Sequence, residues 1–214
     1  MNKVAILIPA YNESATIGDI VKNVKNLGDV IVVDDGSIDS TSEAAKINGA
    51  IVVKNKFNEG YNKSLIKGFK FAKQNKYSVV ISIDADGQHP VEKISNFIHE
   101  LGNGNDLVIG YRNKYARFSE FLFSYFGKKI WGINDPLCGM KAYNTKIFSN
   151  SFFANFINDS IGTEVSIKAI KLKYKYSQIP ILIKERSDCS RFGSGIRINF
   201  HFLIVLFKLL LKYR

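Results

Sequence analysis

The sequence predicts an α/β fold in which a mostly parallel sheet is flanked by helices on both faces. Three observations predict it. Short apolar runs rich in β-branched residues alternate with amphipathic stretches across residues 4–109. Within those runs consecutive positions are apolar, as strands buried on both faces require. Polar clusters follow the first, second and fourth runs, and open sheets of this kind bind ligands beyond the carboxyl ends of their strands.

Each element has its own local reason. Val4 to Ile8 reads as a buried strand, followed by Pro9. Ile17, Ile20, Val21, Val24 and Leu27 recur at helical spacing within Ser14 to Leu27, and Gly28 suits the stop. Val30 to Val33 is the second strand. Ser40-Thr41-Ser42-Glu43 reads as a capping box opening a helix that ends at Gly49. Ala50 to Val53 is the third strand, Ser64 to Gln74 a helix, and Val79 to Ile83 the fourth strand. Pro90 is placed to start a helix running to Leu101, because proline is well tolerated in a first helical turn. Leu107 to Ile109 is the fifth strand. The second half reads as a helix over Ser119 to Trp131, a strand near Met140, helices over Lys146 to Phe153 and Glu164 to Leu172, and a strand over Ile179 to Ile183. No repeat or linker interrupts the chain. It divides into a domain over residues 1–192 and a basic, apolar C-terminal helix over 193–214.

Composition narrows the function. With 214 residues, 46% hydrophobic and 23% charged, the chain can bury a proper core and is not disordered. Two cysteines and three scattered histidines exclude a disulfide framework and a four-ligand zinc site, and the expected setting is a reducing cytoplasm. Met1-Asn2-Lys3-Val4 does not lead into a secretory signal. The net charge of +11 is uneven. Lys168 to Arg214 holds 11 basic residues against Glu185 and Asp188, so the rest is nearly neutral. A dispersed basic charge would favour nucleic acid; a basic end beside the apolar run Phe200 to Leu211 favours an anionic membrane surface. That run is too short to span a bilayer, which takes about 20 residues. It reads either as an interfacial helix, with Arg197, Lys208, Lys212 and Arg214 near headgroups, or as a terminal helix packed on the core.

The polar clusters carry the chemistry. They are Pro9-Ala10-Tyr11-Asn12-Glu13, Asp34-Asp35-Gly36-Ser37-Ile38-Asp39, and Asp84-Ala85-Asp86-Gly87-Gln88-His89-Pro90. Residues i and i+2 of an extended segment point to one side, so Asp84 and Asp86 can address one hard cation. Oxygen ligands suit Mg²⁺ or Mn²⁺, and open positions on such an ion accept phosphate oxygens. Gln88 can add an oxygen or hold a metal-bound water. A nucleotidyltransferase would instead show a Gly-rich basic loop after the first strand. In a nucleic-acid-binding module, three carboxylate clusters would repel the phosphate backbone.

In order, these motifs resemble those of family 2 glycosyltransferases with the GT-A fold, a Rossmann-like sheet, in the branch of dolichyl- and polyprenyl-phosphate sugar synthases. Asn58-Glu59-Gly60-Tyr61, Gly110-Tyr111-Arg112, Asp135-Pro136-Leu137-Cys138-Gly139, Glu164 and Arg186-x-x-x-Ser190-Arg191 continue the resemblance to about residue 192. It implies that Pro9, Tyr11, Glu13 and Asp35 hold the donor base and ribose. It also implies that Asp84, Asp86 and Gln88 bind the diphosphate through the metal, and that Arg112, Arg186 and Arg191 contact phosphate. The implied reaction is inverting transfer of a sugar from a nucleoside diphosphate donor to a lipid phosphate, at the cytoplasmic face of a membrane met by the C-terminal helix. A sugar hydroxyl in cell-surface polysaccharide or lipopolysaccharide is the alternative acceptor; it would need a base, for which Asp135 and Glu164 are the candidates. The sequence departs from the family where Gly139-Met140-Lys141 replaces the frequent Gly-Phe-Arg.

Overall fold

A computed structural model describes residues 3–149, 152–154, 156–157, 159–183 and 196–214. Seven strands form one sheet: β1 (Val4–Ala10), β2 (Asp29–Asp34), β3 (Ile51–Lys54), β4 (Val79–Ser82), β5 (Leu107–Arg112), β6 (Lys141–Asn144) and β7 (Tyr176–Ile181). Their spatial order is β3-β2-β1-β4-β6-β5-β7. β6 runs antiparallel to both β4 and β5, and all other pairs are parallel. The mostly parallel α/β reading therefore holds, with one reversed strand that the sequence pattern did not reveal.

Both faces of the sheet are covered because both faces of its strands are apolar. Along β1, Ala5 and Leu7 enter one core while Ile6 and Ile8 enter the other. The second core takes the apolar stripes of α1 (Ile17–Val24), α2 (Thr41–Ile47) and α4 (Ile94–Gly102). The first takes those of α3 (Tyr61–Gln74), α5 (Phe118–Phe126), α6 (Ile161–Lys171) and α7 (Ile196–Lys212). Gly68 lets α3 lie close on β1: a Cβ there would sit 2.2 Å from Leu7 Cδ1.

Three local expectations are corrected. The capping box does not form. Ser40 makes no side-chain cap, and Asp39 instead accepts from the Thr41 N–H and hydroxyl. Where a helix was expected over Lys146 to Phe153, the described residues form only a 3₁₀ turn, Thr145–Ile147. Its aromatic residues Phe148, Phe152 and Phe153 instead join Phe69 and Phe156 in a ring cluster. The helix expected to Trp131 ends at Phe126 and continues as a π turn, Gly127–Trp131, closed by left-handed Gly132 at φ 72°.

The C-terminal helix packs one face on the core and leaves an apolar face exposed. On one face of α7, Val205, Leu206 and Leu209 are buried, and the Trp131 indole N–H donates to Tyr213 O at 3.0 Å. On the other, Phe200, Phe207 and Leu211 are 60–64% exposed, with Ile204 between them. A helix apolar all round has either a second partner or an unusually wet apolar face. The core side is open to test. Leu209→Ala should lower unfolding free energy by about 2–5 kcal/mol, as cavity substitutions do. Leu211→Ala should stay within about 0.5 kcal/mol. Urea denaturation followed by circular dichroism measures both.

Candidate active site

The parallel strands β1, β2 and β4 end at one edge of the sheet, and the loops leaving them are tied together by hydrogen bonds. Asn12, at a positive φ of 54° that asparagine tolerates, donates its N–H to Ser37 Oγ at 2.9 Å. Its side-chain oxygen accepts from the Ile38 N–H at 3.0 Å. The Glu13 N–H donates to Thr41 Oγ1 at 2.8 Å. Beneath them Asp34 is fully buried. Burial works against its charge, but hydrogen bonds from Ser37 and Ser42 and the Lys54 ammonium at 3.7 Å outweigh that and hold its carboxyl below the usual range.

Asp35 is also buried, yet reaches the site. Its Oδ1 accepts from Asn55 Nδ2 at 2.7 Å and from the Glu59 N–H at 3.0 Å; its Oδ2 accepts from the Gly60 N–H at 2.7 Å. A carboxylate has about four acceptor positions. Three are filled here, and one on Oδ2 is left for a ligand N–H or hydroxyl. The Phe57–Asn58 backbone passes so close that a Cβ on Gly36 (φ +75°) would fall 2.6 Å from Phe57 C.

Asp84 is held from two sides. The Tyr61 hydroxyl donates to its Oδ1 at 3.0 Å. Burial first, then the Asp84 charge, raises the Tyr61 phenol well above its ordinary value, so it remains a neutral donor. The Asp84 N–H donates to His89 Nδ1 at 3.0 Å, which places the ring proton on Nε2, 3.6 Å from Asp84 Oδ2. Gly139 faces the carboxylate: a Cβ there would lie 2.6 Å from both oxygens. Asp86 Oδ1 accepts from the Gln88 N–H at 3.1 Å, and the Thr16 hydroxyl fixes the intervening Ala85 carbonyl at 2.6 Å. These two carboxylates fit a hard divalent cation that keeps most of its positions for water or phosphate. No group of three or more metal-ligating side chains forms a closed cage among the described residues.

A cleft of about 580 Å³ unites these parts. Pro9, Tyr11, Glu13, Asp35, Asp84, Asp86, Gln88 and Arg112 all line it, as the sequence motifs led one to expect. Asp135 and Glu164 are not among its lining residues. Asp135 is buried and bound by Arg112 through Nε at 2.6 Å and Nη2 at 3.1 Å. Glu164 is fully buried beneath α7, where it accepts from Lys212, the Tyr213 hydroxyl and the Ile157 N–H. Asp135 clamps Arg112, and Glu164 ties down the C-terminal end of α7. Burial disfavours the Arg112 charge, but Asp135 and then Glu120 raise its pKa, so it stays a cation. Arg186 and Arg191 lie outside the described residues.

Sequence reading passed over Tyr61, His89, Arg117 and Lys141 as parts of the site. Arg117 lines the cleft and donates to Glu120 at 2.6 Å. Tyr61 and His89 stood inside quoted motifs but had no assigned partner. Lys141 was visible only as a departure from a family pattern.

Asp34 and Asp39 make stability depend on acid. Asp39, like Asp34, is held below its ordinary value of 3.8; burial opposes this, and Thr41 and Ser14 bonds overcome it. A depressed carboxylate stabilises the fold fully above its unfolded value, and that contribution is lost as pH falls through the lower folded value. The urea midpoint should therefore hold down to about pH 5 and drop below pH 3.8. Asp34→Asn should lower the midpoint at neutral pH and flatten the acid drop.

With this geometry in view, similarities to known proteins fall into place. A dolichyl-phosphate hexose transferase of Haloferax volcanii is 25% identical over 91% of this chain and 90% of its own length. A dolichol-phosphate mannosyltransferase of Pyrococcus furiosus is 28% identical over 83% of this chain, which spans 54% of that longer protein. The fold matches glucosyl-3-phosphoglycerate synthase of Mycobacterium tuberculosis, solved with Mn²⁺, UDP-glucose and phosphoglyceric acid, at TM-score 0.72 over 99% of this chain and 79% of that one, with 18% identity. The sheet is thus of the GT-A type. Residues 5–156 match the model of glycosyl transferase family 2, and the chain belongs to that family.

Proposed function

We propose that the protein transfers a sugar, with inversion, from a nucleoside diphosphate donor to a polyprenyl or dolichyl phosphate, using Mg²⁺ or Mn²⁺. The observation that carries this reading is a single cleft with the Asp84 and Asp86 carboxylates on its floor and α7, through Phe202, in its wall. Pro9, Tyr11 and Glu13, with the open acceptor position of Asp35, hold the base and ribose. Asp84 and Asp86, with Gln88 beside them, hold the divalent ion, which when bound neutralises charge on the leaving diphosphate. Tyr61 and His89 keep the Asp84 carboxylate aimed. Arg112, oriented by Asp135, has guanidinium N–H groups beyond those Asp135 takes and turns them to phosphate.

The placement of Asp135 and Glu164 favours a phosphate acceptor. A sugar hydroxyl needs a base, and neither candidate lines the cleft: Asp135 is taken up by Arg112, and Glu164 is fully buried. A lipid phosphate is already ionised near neutral pH and needs none. The Haloferax and Pyrococcus relatives, named for dolichyl phosphate, support the same acceptor.

The membrane side of the reading rests on two helices. Phe200, Ile204, Phe207 and Leu211 face out of α7, and Phe118, Phe121 and Tyr125 out of the adjoining α5. Phe123 on Phe202, and the Ser119 N–H on Asn199, join the two helices. Exposed Lys128, Lys129, Arg197, Lys208 and Arg214 stand near these stripes, a pattern suited to anionic headgroups. No helix among the described residues is long and apolar enough to cross a membrane. In this reading the protein works peripherally, at the cytoplasmic face of a membrane.

Two measurements test the proposal. A screen of nucleoside diphosphate sugars with Mn²⁺ should release nucleoside diphosphate faster when polyprenyl phosphate is added. Asp86→Ala should cut that rate about a hundredfold or more; full turnover by this variant would remove the metal from the reading. Because α7 is part of the core, the membrane arm is tested by substitution, not deletion. Phe200→Ser with Phe207→Ser should shift the protein from anionic vesicles to the supernatant in sedimentation while its thermal midpoint stays near that of the wild type.

A further inference from the structure

The cations lining the cleft are not equivalent. Arg112 is paired with Asp135 at 2.6 Å and Glu120 at 3.4 Å, and Arg117 with Glu120 at 2.6 Å. Lys141 is only 2% exposed and still lines the cleft. It has no carboxylate within ion-pair distance among the described residues. Its ammonium donates to the carbonyls of Pro136, at 3.0 Å, and Cys138. An ammonium has three donors, and two neutral carbonyls do not balance a buried charge. Burial accordingly pushes Lys141 below the usual lysine range, against the pull of the more distant Cys138, Asp135 and Asp84 groups.

A second positive feature converges on the same place. The first turn of a helix leaves backbone N–H groups without intrahelical partners and carries the positive end of its dipole. At the start of α6, Asn62 Oδ1 takes the Ile161 N–H at 3.0 Å, and Gly162 and Thr163 follow in the cleft wall. Gly162 stands beside the lysine: a Cβ there would lie 3.4 Å from Lys141 Nζ. Placing a buried ammonium against a helix N-terminus is repulsive unless an anion enters between them. The missing side chain at Gly162 keeps that space open.

We propose that Lys141 and the first turn of α6 bind a phosphate oxyanion deep in the cleft. The phosphate could belong to the donor diphosphate or to the acceptor. Choosing between them rests on the sugar-transfer reading above, whereas the anion site itself does not.

The experiment uses inorganic pyrophosphate with a chelator, so neither donor, acceptor nor metal is involved. Pyrophosphate should raise the thermal midpoint of the wild type and of Lys141→Arg, while Lys141→Met should bind it about ten- to a hundredfold more weakly, as loss of a charge-assisted hydrogen bond predicts. If Lys141→Met fails to fold, Gly162→Val gives the same answer, since it fills the space above Nζ and keeps the lysine. Wild-type-like pyrophosphate affinity in the folded Met variant, or in the Val variant, overturns the proposal; so does absence of any shift in the wild type. Kinetics of Lys141→Met then assign the source. A raised KM for the donor places the diphosphate there, and a raised KM for the lipid phosphate alone places the acceptor there. Unchanged KM for both overturns the role in catalysis. Pyrophosphate binding without sugar transfer from any donor would retain the site and refute the transferase reading instead.

Discussion

Everything at the cleft depends on β1 being hydrogen-bonded to parallel strands on both sides. β2 and β4 run alongside it in fixed register, with Ala10 opposite Asp34 and Leu7 opposite Ser82. The three strands therefore release their chains at one edge. Parallel strands must be buried on both faces, so helices cover the faces and leave that edge as the place where polar groups can gather. The family's activity is possible on this scaffold because the sheet solves its burial problem first.

That edge is held by neutral and partly neutral bonds more than by ion pairs. Asp35 is filled by an amide side chain and two backbone N–H groups; the Asp84 carboxylate accepts from a phenol, and its backbone N–H donates to the His89 imidazole. Such donors fix a carboxylate without cancelling its charge, which is what a cation site requires. The guanidinium groups are treated in the opposite way, since Arg112 and Arg117 each meet a buried carboxylate. The cleft thus orients its acids through neutral donors and restrains its arginines through ion pairs. Lys141 is the exception, restrained by carbonyls alone.

What could be read from the chain follows the same division. Strands β1 to β5 were legible because double burial writes continuous apolar runs, and the motifs at their ends were legible because a parallel sheet sends such ends to one side. Lys141 was not. It sits at the start of β6, which runs the other way, and an antiparallel strand brings its first residue to the edge where its neighbours bring their last. A four-residue strand carries no mark of direction. The burial of Glu164 was hidden for a different reason: a carboxylate at its expected place in a motif says nothing about which face of α6 it occupies. The aromatic run after Lys146 failed as a helix because tertiary ring contacts outweigh a short periodic signal. The basic apolar end permitted two answers; core packing accounts for one face of the helix and leaves its other apolar face exposed.

The wall formed by α7 has a consequence of scale. Phe202 borders the cleft while Phe200, Ile204 and Phe207, on the same helix, face outward. A helix with its side chains is about 10–12 Å across. The chemistry is therefore separated from whatever lies outside by the thickness of one helix. A substrate with a long greasy tail could keep the tail on the outer side and extend only its head around that edge. An encounter of this kind is a search over a surface, in two dimensions, and its rate is set by how many such molecules lie in the plane.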